Sequence, residues 1–372
     1  MRNILGQNDR VYDRRKYLGP ARDTTKEAVP RISWVGVNGR SRSAQVRREI
    51  ERVGGDRQMA SKRRVTIVGI AGDSGAGKST YAQALANLLG SERVTVACLD
   101  DYHSLDRHER NLIGVTALNP FKANNLGLLV DHIWRLRHGY PVMKPVYDHS
   151  TGTFAEPEEV VPKDIVILEG LHTLYLESLR TALDLRIYFD TDPQLQVIWK
   201  VRRDSGARGY TPEEVMAEIK RRRSDVQQHI EPQKAFADIV IHYMPDTDTP
   251  PSEDYPEPVR VRFAELLKGS KRRLVKWLAL AGQLGLVTAD HFHDQITGEE
   301  MEIASLFGVT NRAALHSLIE MVSDRHLLSE HVAKHLNQIH YDPVSVSRIL
   351  VSAMISQLHL TSVRDEMIFE GV

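Results

Sequence analysis

Eight consecutive residues, Gly72, Asp73, Ser74, Gly75, Ala76, Gly77, Lys78 and Ser79, with Thr80 next, fit the pattern G-x-x-x-x-G-K-S/T. Glycines at this spacing let successive backbone N–H groups turn toward one point and form a nest for phosphate oxygens. A helix starting at the end of such a loop adds the positive end of its dipole. In this setting Lys78 reaches the outer phosphates of a nucleoside triphosphate and the Ser79 hydroxyl ligates Mg2+. The pattern carries that meaning only between a strand and a helix. Here an apolar run over 65–70 precedes it and a helical repeat over 79–89 follows. An ordinary glycine-rich turn is the competing explanation, and the full motif in the right place argues against it.

Two more carboxylate sites close apolar runs. The run 94–99 ends in Asp100 and Asp101, and the run 165–168 ends in Glu169 and Gly170. Open α/β sheets bind ligands beyond the carboxyl ends of their strands, so these acids are expected at the same edge as the glycine-rich loop. Phosphoryl transfer to a hydroxyl needs a base for the proton and a carboxylate for the metal. Asp100 suits the first role and Glu169 the second. Asp101, its neighbour at a strand end, is expected to point to the other side.

Further along, 195–203 has helical spacing and puts Lys200 and Arg203 close together on one face. Gly206 and Gly209 follow, with Arg208 between them, and Thr211, Pro212 and Glu214 then make a capped helix start. Two helices flanking a glycine-bracketed arginine describe a hinged lid whose cations neutralise charge on a transferring phosphoryl group. Arg202 and most of Arg221, Arg222 and Arg223 read as solvated surface.

The elements that must hold these groups follow from the apolar runs at 65–70, 94–99, 165–168, 185–189 and 239–241, separated by helical segments. They predict an α/β fold, a mostly parallel sheet covered by helices on both faces. Residues 245–258, rich in Pro and acids, read as an exposed loop, and 259–263 as a last strand at the sheet edge. Helical spacing is read at Leu274, Trp277, Leu278 and Ala281, and over 299–307, 311–323, 326–337 and 343–358. The expected organisation is a basic, disordered extension over 1–58, a P-loop kinase domain over 59–268 and a small all-helical C-terminal domain over 269–372. Met59 reads as a natural start, with 1–58 a dispensable tail or an over-extended reading frame.

The chain has 372 residues and balances 49 Lys/Arg against 49 Asp/Glu. Residues 1–64 alone carry 17 Lys/Arg against 7 Asp/Glu, so the remainder is acidic. Cys98 is the only cysteine, which excludes an intrachain disulfide and suits a cytoplasmic setting. No apolar run of about 20 residues and no secretory signal is read, so no membrane partner is expected. Residues 303–310 with 311–323 faintly suggest a helix-turn-helix. Arg312 and His316 are the basic groups on its candidate recognition helix, too few for nucleic acid to be expected. His291, His293 and Asp294 lack a second ligand cluster and read as surface polar residues.

Six separated segments, in order, resemble phosphoribulokinases of the plant and cyanobacterial type, within the phosphoribulokinase/uridine kinase family of P-loop kinases. They are 98–107; 114–120 with 123–125; 144–152; 169–172; 203–210; and 230–234 with 237–241. The resemblance covers about 61–268. It implies transfer of the ATP γ-phosphate to the C1 hydroxyl of ribulose 5-phosphate, with Mg2+, by a homodimer. It also implies Asp100 as base, Glu169 as metal-linked acid, and His103 and Arg107 as sugar-phosphate contacts. Lys200, Arg203, Asp204 and Arg208 become lid residues near the phosphates. Tyr147 and His149 are further candidates for the sugar pocket.

Two departures stand out. Ala76 occupies the place of the relatives' redox-sensitive loop cysteine, so Cys98 has nothing to pair with. The helical reading of the tail also differs from the family's strand-rich C-terminal part. The alternatives are a uridine kinase, whose acceptor would leave Arg107 and Arg208 without an anion, and an ATP-sensing regulator with a nucleic-acid-binding tail.

Overall fold

The computed structural model describes residues 65–249, 257–266, 274–294, 299–306, 311–323, 327–328 and 341–370. The extension expected over 1–58 and most of the helix expected over 326–337 lie outside the described residues. The chain runs β1 (Thr66–Ala71), α1 (Lys78–Leu89), β2 (Val94–Cys98), α2 (Arg107–Leu112), α3 (Leu126–Arg137), β3 (Val142–Asp148), β4 (Thr153–Val160) and β5 (Ile165–Gly170). It continues with α4 (Glu177–Arg180), β6 (Leu185–Thr191), α5 (Pro193–Ala207), α6 (Pro212–Asp225), β7 (Ile239–Pro245) and β8 (Val259–Leu266). Last come α7 (Val275–Gln283), β9 (Thr288–Asp294), β10 (Glu299–Leu306), α8 (Arg312–Ser323) and α9 (Pro343–Glu370).

One sheet dominates, in the order β2, β5, β1, β6, β7, β8, β10, β9. The first five strands are parallel and the last three antiparallel. β1 and β5 are buried at every residue, as strands covered on both faces must be. Their register sets the site: Ala71 lies opposite Gly170, and Cys98 opposite Glu169. The glycine-rich loop, Asp100 and Glu169 therefore leave the sheet side by side at its carboxyl edge.

The sequence patterns miss the β3–β4 hairpin, a separate two-stranded sheet. Among the eight residues of β4 all but Val160 are exposed, so no alternation marks the strand.

The tail expected to be all-helical is not. Residues 299–306, read as a helix, form β10, and 288–294 form β9. Met301 and Ile303 are spaced as on one face of a strand, Ile303 and Leu306 as on one face of a helix, and the antiparallel ladder from β8 to β10 decides between the two. β8 is accordingly interior rather than the edge, and a helix-turn-helix beginning at 303 is not formed. Helices do occupy 275–283 and 312–323 as expected, and the helix expected over 343–358 runs on to 370. Residues 63–372 form one compact unit, so the boundary expected near 268 does not separate two bodies.

The long helix α9 explains that unity. Over Pro343–Val363 it has the length and mean hydropathy, 1.2, of a membrane span, but most of it is buried against the rest of the fold. Val346, Ile349, Leu350, Val351, Ala353, Met354 and Ile355 join the same core as Tyr81, Leu85 and Leu89 of α1 and Phe263 of β8. Polar pins fix its course: Ser347 Oγ lies 3.4 Å from Tyr81 Oη, and His359 Nδ1 lies 2.9 Å from Thr66 Oγ1.

A chain ending at residue 268 is expected to lose its cooperative thermal transition. Exposing the seven α9 side chains forfeits on the order of 10 kcal/mol, comparable with the whole stability of a domain, about 5–15 kcal/mol. Circular dichroism melting of the shortened chain checks this.

Candidate active site

The phosphate loop adopts the backbone its sequence requires. Gly75 and Gly77 have φ of 84° and 98°, in the left-handed region. At Gly72 a Cβ would stand 2.3 Å from the Phe189 carbonyl oxygen, so β6 and the loop can approach this closely only with glycine there. Thr191 Oγ1 donates to the Ala76 carbonyl (2.9 Å), anchoring the loop to the end of β6. Lys78 Nζ donates to the Asp73 carbonyl (2.9 Å). Asp73 works as a clasp: its carboxylate accepts from Ser74 N (2.6 Å), from Gln196 Nε2 of α5 (2.8 Å) and from Arg222 of α6 (3.2 Å).

The two acids at the sheet edge sit as expected. Asp100 Oδ1 accepts from Leu171 N (2.7 Å), which aims the carboxylate across the end of β5. A Cβ on Gly170 would stand 2.9 Å from Leu99 Cβ and 3.0 Å from Asp100 Oδ1, so this packing also needs glycine. Burial disfavours the Asp100 charge, yet Lys78, the Leu171 amide and the His103 and His149 rings together hold its carboxyl below the ordinary value. Burial lifts Glu169 above its ordinary value, with Asp100 adding to the effect against Lys78. Ser79 Oγ donates to Glu169 Oε1 (2.9 Å). This hydroxyl–carboxylate pair is a set of hard oxygen donors that fits a small divalent cation such as Mg2+. Asp101 faces the other way, pairing with Lys144 and accepting from Tyr147 N (3.0 Å), and so ties the β3–β4 hairpin to the sheet.

A second group of cations comes from α2, whose start is fixed by a capping box between Asp106 and Glu109. Arg107 donates to the His149 carbonyl (2.6 Å) and lies over the Tyr210 ring. Arg110, buried, donates to Tyr147 Oη (2.7 Å), which in turn donates to the Gly152 carbonyl (2.9 Å). Tyr147 thus has its hydroxyl engaged within the fold, though its ring still lines the cavity. The Asn124 amide nitrogen donates to Ala117 and Asn119 carbonyls, which turns its oxygen to His103 Nδ1 (2.9 Å). Nδ1 therefore carries the proton and Nε2 is left as an acceptor. Burial lowers the His103 pKa to about 4, so the ring is neutral at physiological pH. Burial, then Arg208, lower that of His149 as well.

The lid helices meet the same space. Thr211 and Glu214 form the expected capping box at the start of α6. Asp204, buried, accepts from Arg203 Nε (2.8 Å) and pairs with Arg208 (3.2 Å), while Arg203 also donates to Ser74 Oγ (3.2 Å). Burial, and next the Arg222 charge, push the Lys200 pKa down to about 7. Arg202 is exposed and paired with Glu257, as the surface reading expects. Arg222 is not surface: it is buried, on Asp73, while Arg221 and Arg223 stay exposed. Its position on the inner face of α6 is set by the lid packing against the loop, which a run of three arginines does not disclose.

One cavity of about 990 Å3 is lined by Ser74, Lys78 to Thr80, Asp100, His103, Arg107, Tyr147, His149, Lys200, Arg203, Asp204 and Arg208. Glu169 lies beneath it on Ser79. Arg110, Arg222, Trp199, Tyr243, Val344 and Arg348 also line it, and sequence patterns singled out none of them as site residues. Arg110 was within reach, three residues beyond Arg107 on the same helix.

The profile of the phosphoribulokinase / uridine kinase family matches residues 67–250. A phosphoribulokinase of Synechocystis sp. is 48% identical over 182 residues, covering 49% of this chain and 54% of its own. The chloroplastic phosphoribulokinase of Spinacia oleracea is 37% identical over 222 residues, 55% of each chain. A uridine kinase of Staphylococcus epidermidis is 37% identical over 182 residues, 47% of this chain and 86% of its own. The chain thus spans about half the length of the phosphoribulokinases it matches.

With a pKa of about 7, Lys200 is largely neutral at pH 8, and a polyphosphate in the loop should restore its charge. Binding of ADP at pH 8 is therefore expected to take up protons, approaching about one per site. The apparent binding enthalpy will then vary with the ionisation enthalpy of the buffer, and Lys200→Met will flatten that dependence. Without ligand the pH dependence of stability runs the opposite way, because folding releases the proton that binding takes up. The unfolded lysine titrates near 10.4, so the unfolded chain binds more protons between about pH 7 and 10, and stability rises with pH across that window.

Proposed function

Because the chain belongs to the phosphoribulokinase / uridine kinase family, we propose that it is an ATP-dependent kinase of a phosphorylated sugar, with ribulose 5-phosphate as acceptor. The observation that carries the acceptor is the second set of cations. The cavity that holds the phosphate loop and Asp100 also gathers Arg107, Arg110 and Arg208, with neutral His103. A nucleoside acceptor would give these guanidinium groups no anion, whereas a sugar phosphate brings a dianion suited to them. The phosphoribulokinases among the relatives point the same way.

In this reading ATP lies with its phosphates on the amides of the loop and on Lys78. The C1 hydroxyl oxygen of ribulose 5-phosphate forms a bond to the γ-phosphorus as the bond to the β–γ bridging oxygen breaks. ADP leaves and ribulose 1,5-bisphosphate forms. Asp100, held ionised, accepts the hydroxyl proton. Lys78, Lys200 and Arg203 neutralise charge on the transferring oxygens, and Asp204 keeps Arg203 and Arg208 in place. Mg2+ at Ser79 and Glu169 would add charge neutralisation at the β- and γ-phosphates. Closing of α5 and α6 over the loop excludes water, which would otherwise compete as acceptor.

The test is ADP release from ATP with ribulose 5-phosphate or with uridine, in the parent chain and in Asp100→Asn. Turnover with the sugar phosphate should fall by about 10²- to 10⁴-fold in kcat in the variant. Turnover with uridine alone would keep the loop and the base but replace the acceptor. No turnover with either would end the kinase reading.

A further inference from the structure

The phosphate loop leaves β1 in the middle of the parallel strands. β2, which carries Asp100, lies two places to one side, and β7, which carries Tyr243, lies two places to the other. With strands about 4.8 Å apart, the two ends of the cavity stand on opposite flanks of the loop. The flank with Asp100, Arg107 and Arg110 takes the acceptor. A nucleotide whose phosphates occupy the loop must therefore extend its sugar and base toward the other flank, where Trp199, Tyr243, Val344 and Arg348 line the cavity.

That flank is built to take a flat ring. Trp199 borders the loop itself, its ring 3.8 Å from where a Cβ on Gly77 would stand. It is held by an edge contact with Tyr243, 6.0 Å between centroids, and by a hydrogen bond from Nε1 to Glu257 (3.3 Å). Opposite comes the start of α9. Asp342 caps it by accepting from Ser345 N (2.6 Å), and Ser347 leans on Tyr81 of α1, so its first turns have a fixed place beside the helix that follows the loop. Among the described residues no carboxylate pairs with Arg348, and its Nε is buried without a hydrogen-bond partner. An unpaired guanidinium beside an aromatic and an aliphatic wall can stack on a purine or donate hydrogen bonds to its ring nitrogens.

We propose that the first two turns of α9 form the base-side wall of the nucleotide site, with Val344 and Arg348 holding the purine against Trp199. This rests on the kinase reading of the loop, and it assigns a substrate contact to a segment outside the residues, 67–250, that the family profile matches.

The experiment compares calorimetric binding of ADP and of inorganic tripolyphosphate to the full chain. In Arg348→Ala, ADP affinity is expected to fall about tenfold, a loss of about 1.4 kcal/mol, with tripolyphosphate affinity unchanged. Val344→Trp, which fills the subsite, should likewise weaken ADP and spare tripolyphosphate, and the retained tripolyphosphate binding shows that each variant is folded. Unchanged ADP affinity in both variants overturns the proposal while leaving the kinase reading intact. Equal loss of both ligands overturns it too, because the contact would then be with phosphate. A parent chain that binds neither ligand removes the kinase reading along with it.

Discussion

The parallel ladder that joins β1 to β5 and β5 to β2 is the constraint on which the site depends. β5 is hydrogen-bonded on both sides, and its last residues stand opposite the last residues of its two neighbours. The loop glycines, the Ser79–Glu169 pair and Asp100 are brought together by that register alone, although they are up to 97 residues apart in the chain (Gly72 to Glu169). A slip of one residue would turn Glu169 to the other face and part it from Ser79. The close approaches at Gly72 and Gly170, which a Cβ would obstruct, lie at this same edge. The strands can end this near to one another because no side chain stands between them.

Around that edge, charge is arranged so that cations outnumber their local partners without flying apart. Asp73 holds the loop to both lid helices, through Gln196 of α5 and Arg222 of α6. Asp204 holds two arginines at once. Between these two carboxylates sits Lys200, buried and easily neutralised. The lid is thus an electrostatic assembly as much as a hinge. Its cations are kept in position by acids that belong to the protein, and their remaining attraction is available to a polyphosphate.

Much of this was legible in the sequence where a single local signal fixes the outcome. The loop glycines, the capping box at Thr211 and Glu214, and the acids at the ends of apolar runs each announce themselves within a few residues. The hairpin that carries Lys144 and Tyr147 was not legible, because β4 lies almost wholly in solvent and has no apolar face to alternate with. β10 was misread because its apolar residues suit two periods, and only its partner strand chooses. Arg222 and Arg348 escaped for a related reason. Nothing in their neighbours distinguishes them from surface arginines, and the burial of Arg222 and of the Arg348 Nε comes from elements packed against them from far along the chain.

The course of α9 bears on how the molecule comes into being. Thr66 and His359 touch across 293 residues of sequence, at the foot of the first core strand. During synthesis β1 emerges well before α9 and waits, with its apolar neighbours uncovered, until that helix can lie down on α1 and β8. Contacts of such separation are slow to form, and an unprotected sheet face invites association with other chains in the interval. The nascent chain is therefore vulnerable for as long as α9 is still to be made, and a chaperone that shields the α1 face would act in place of the missing helix.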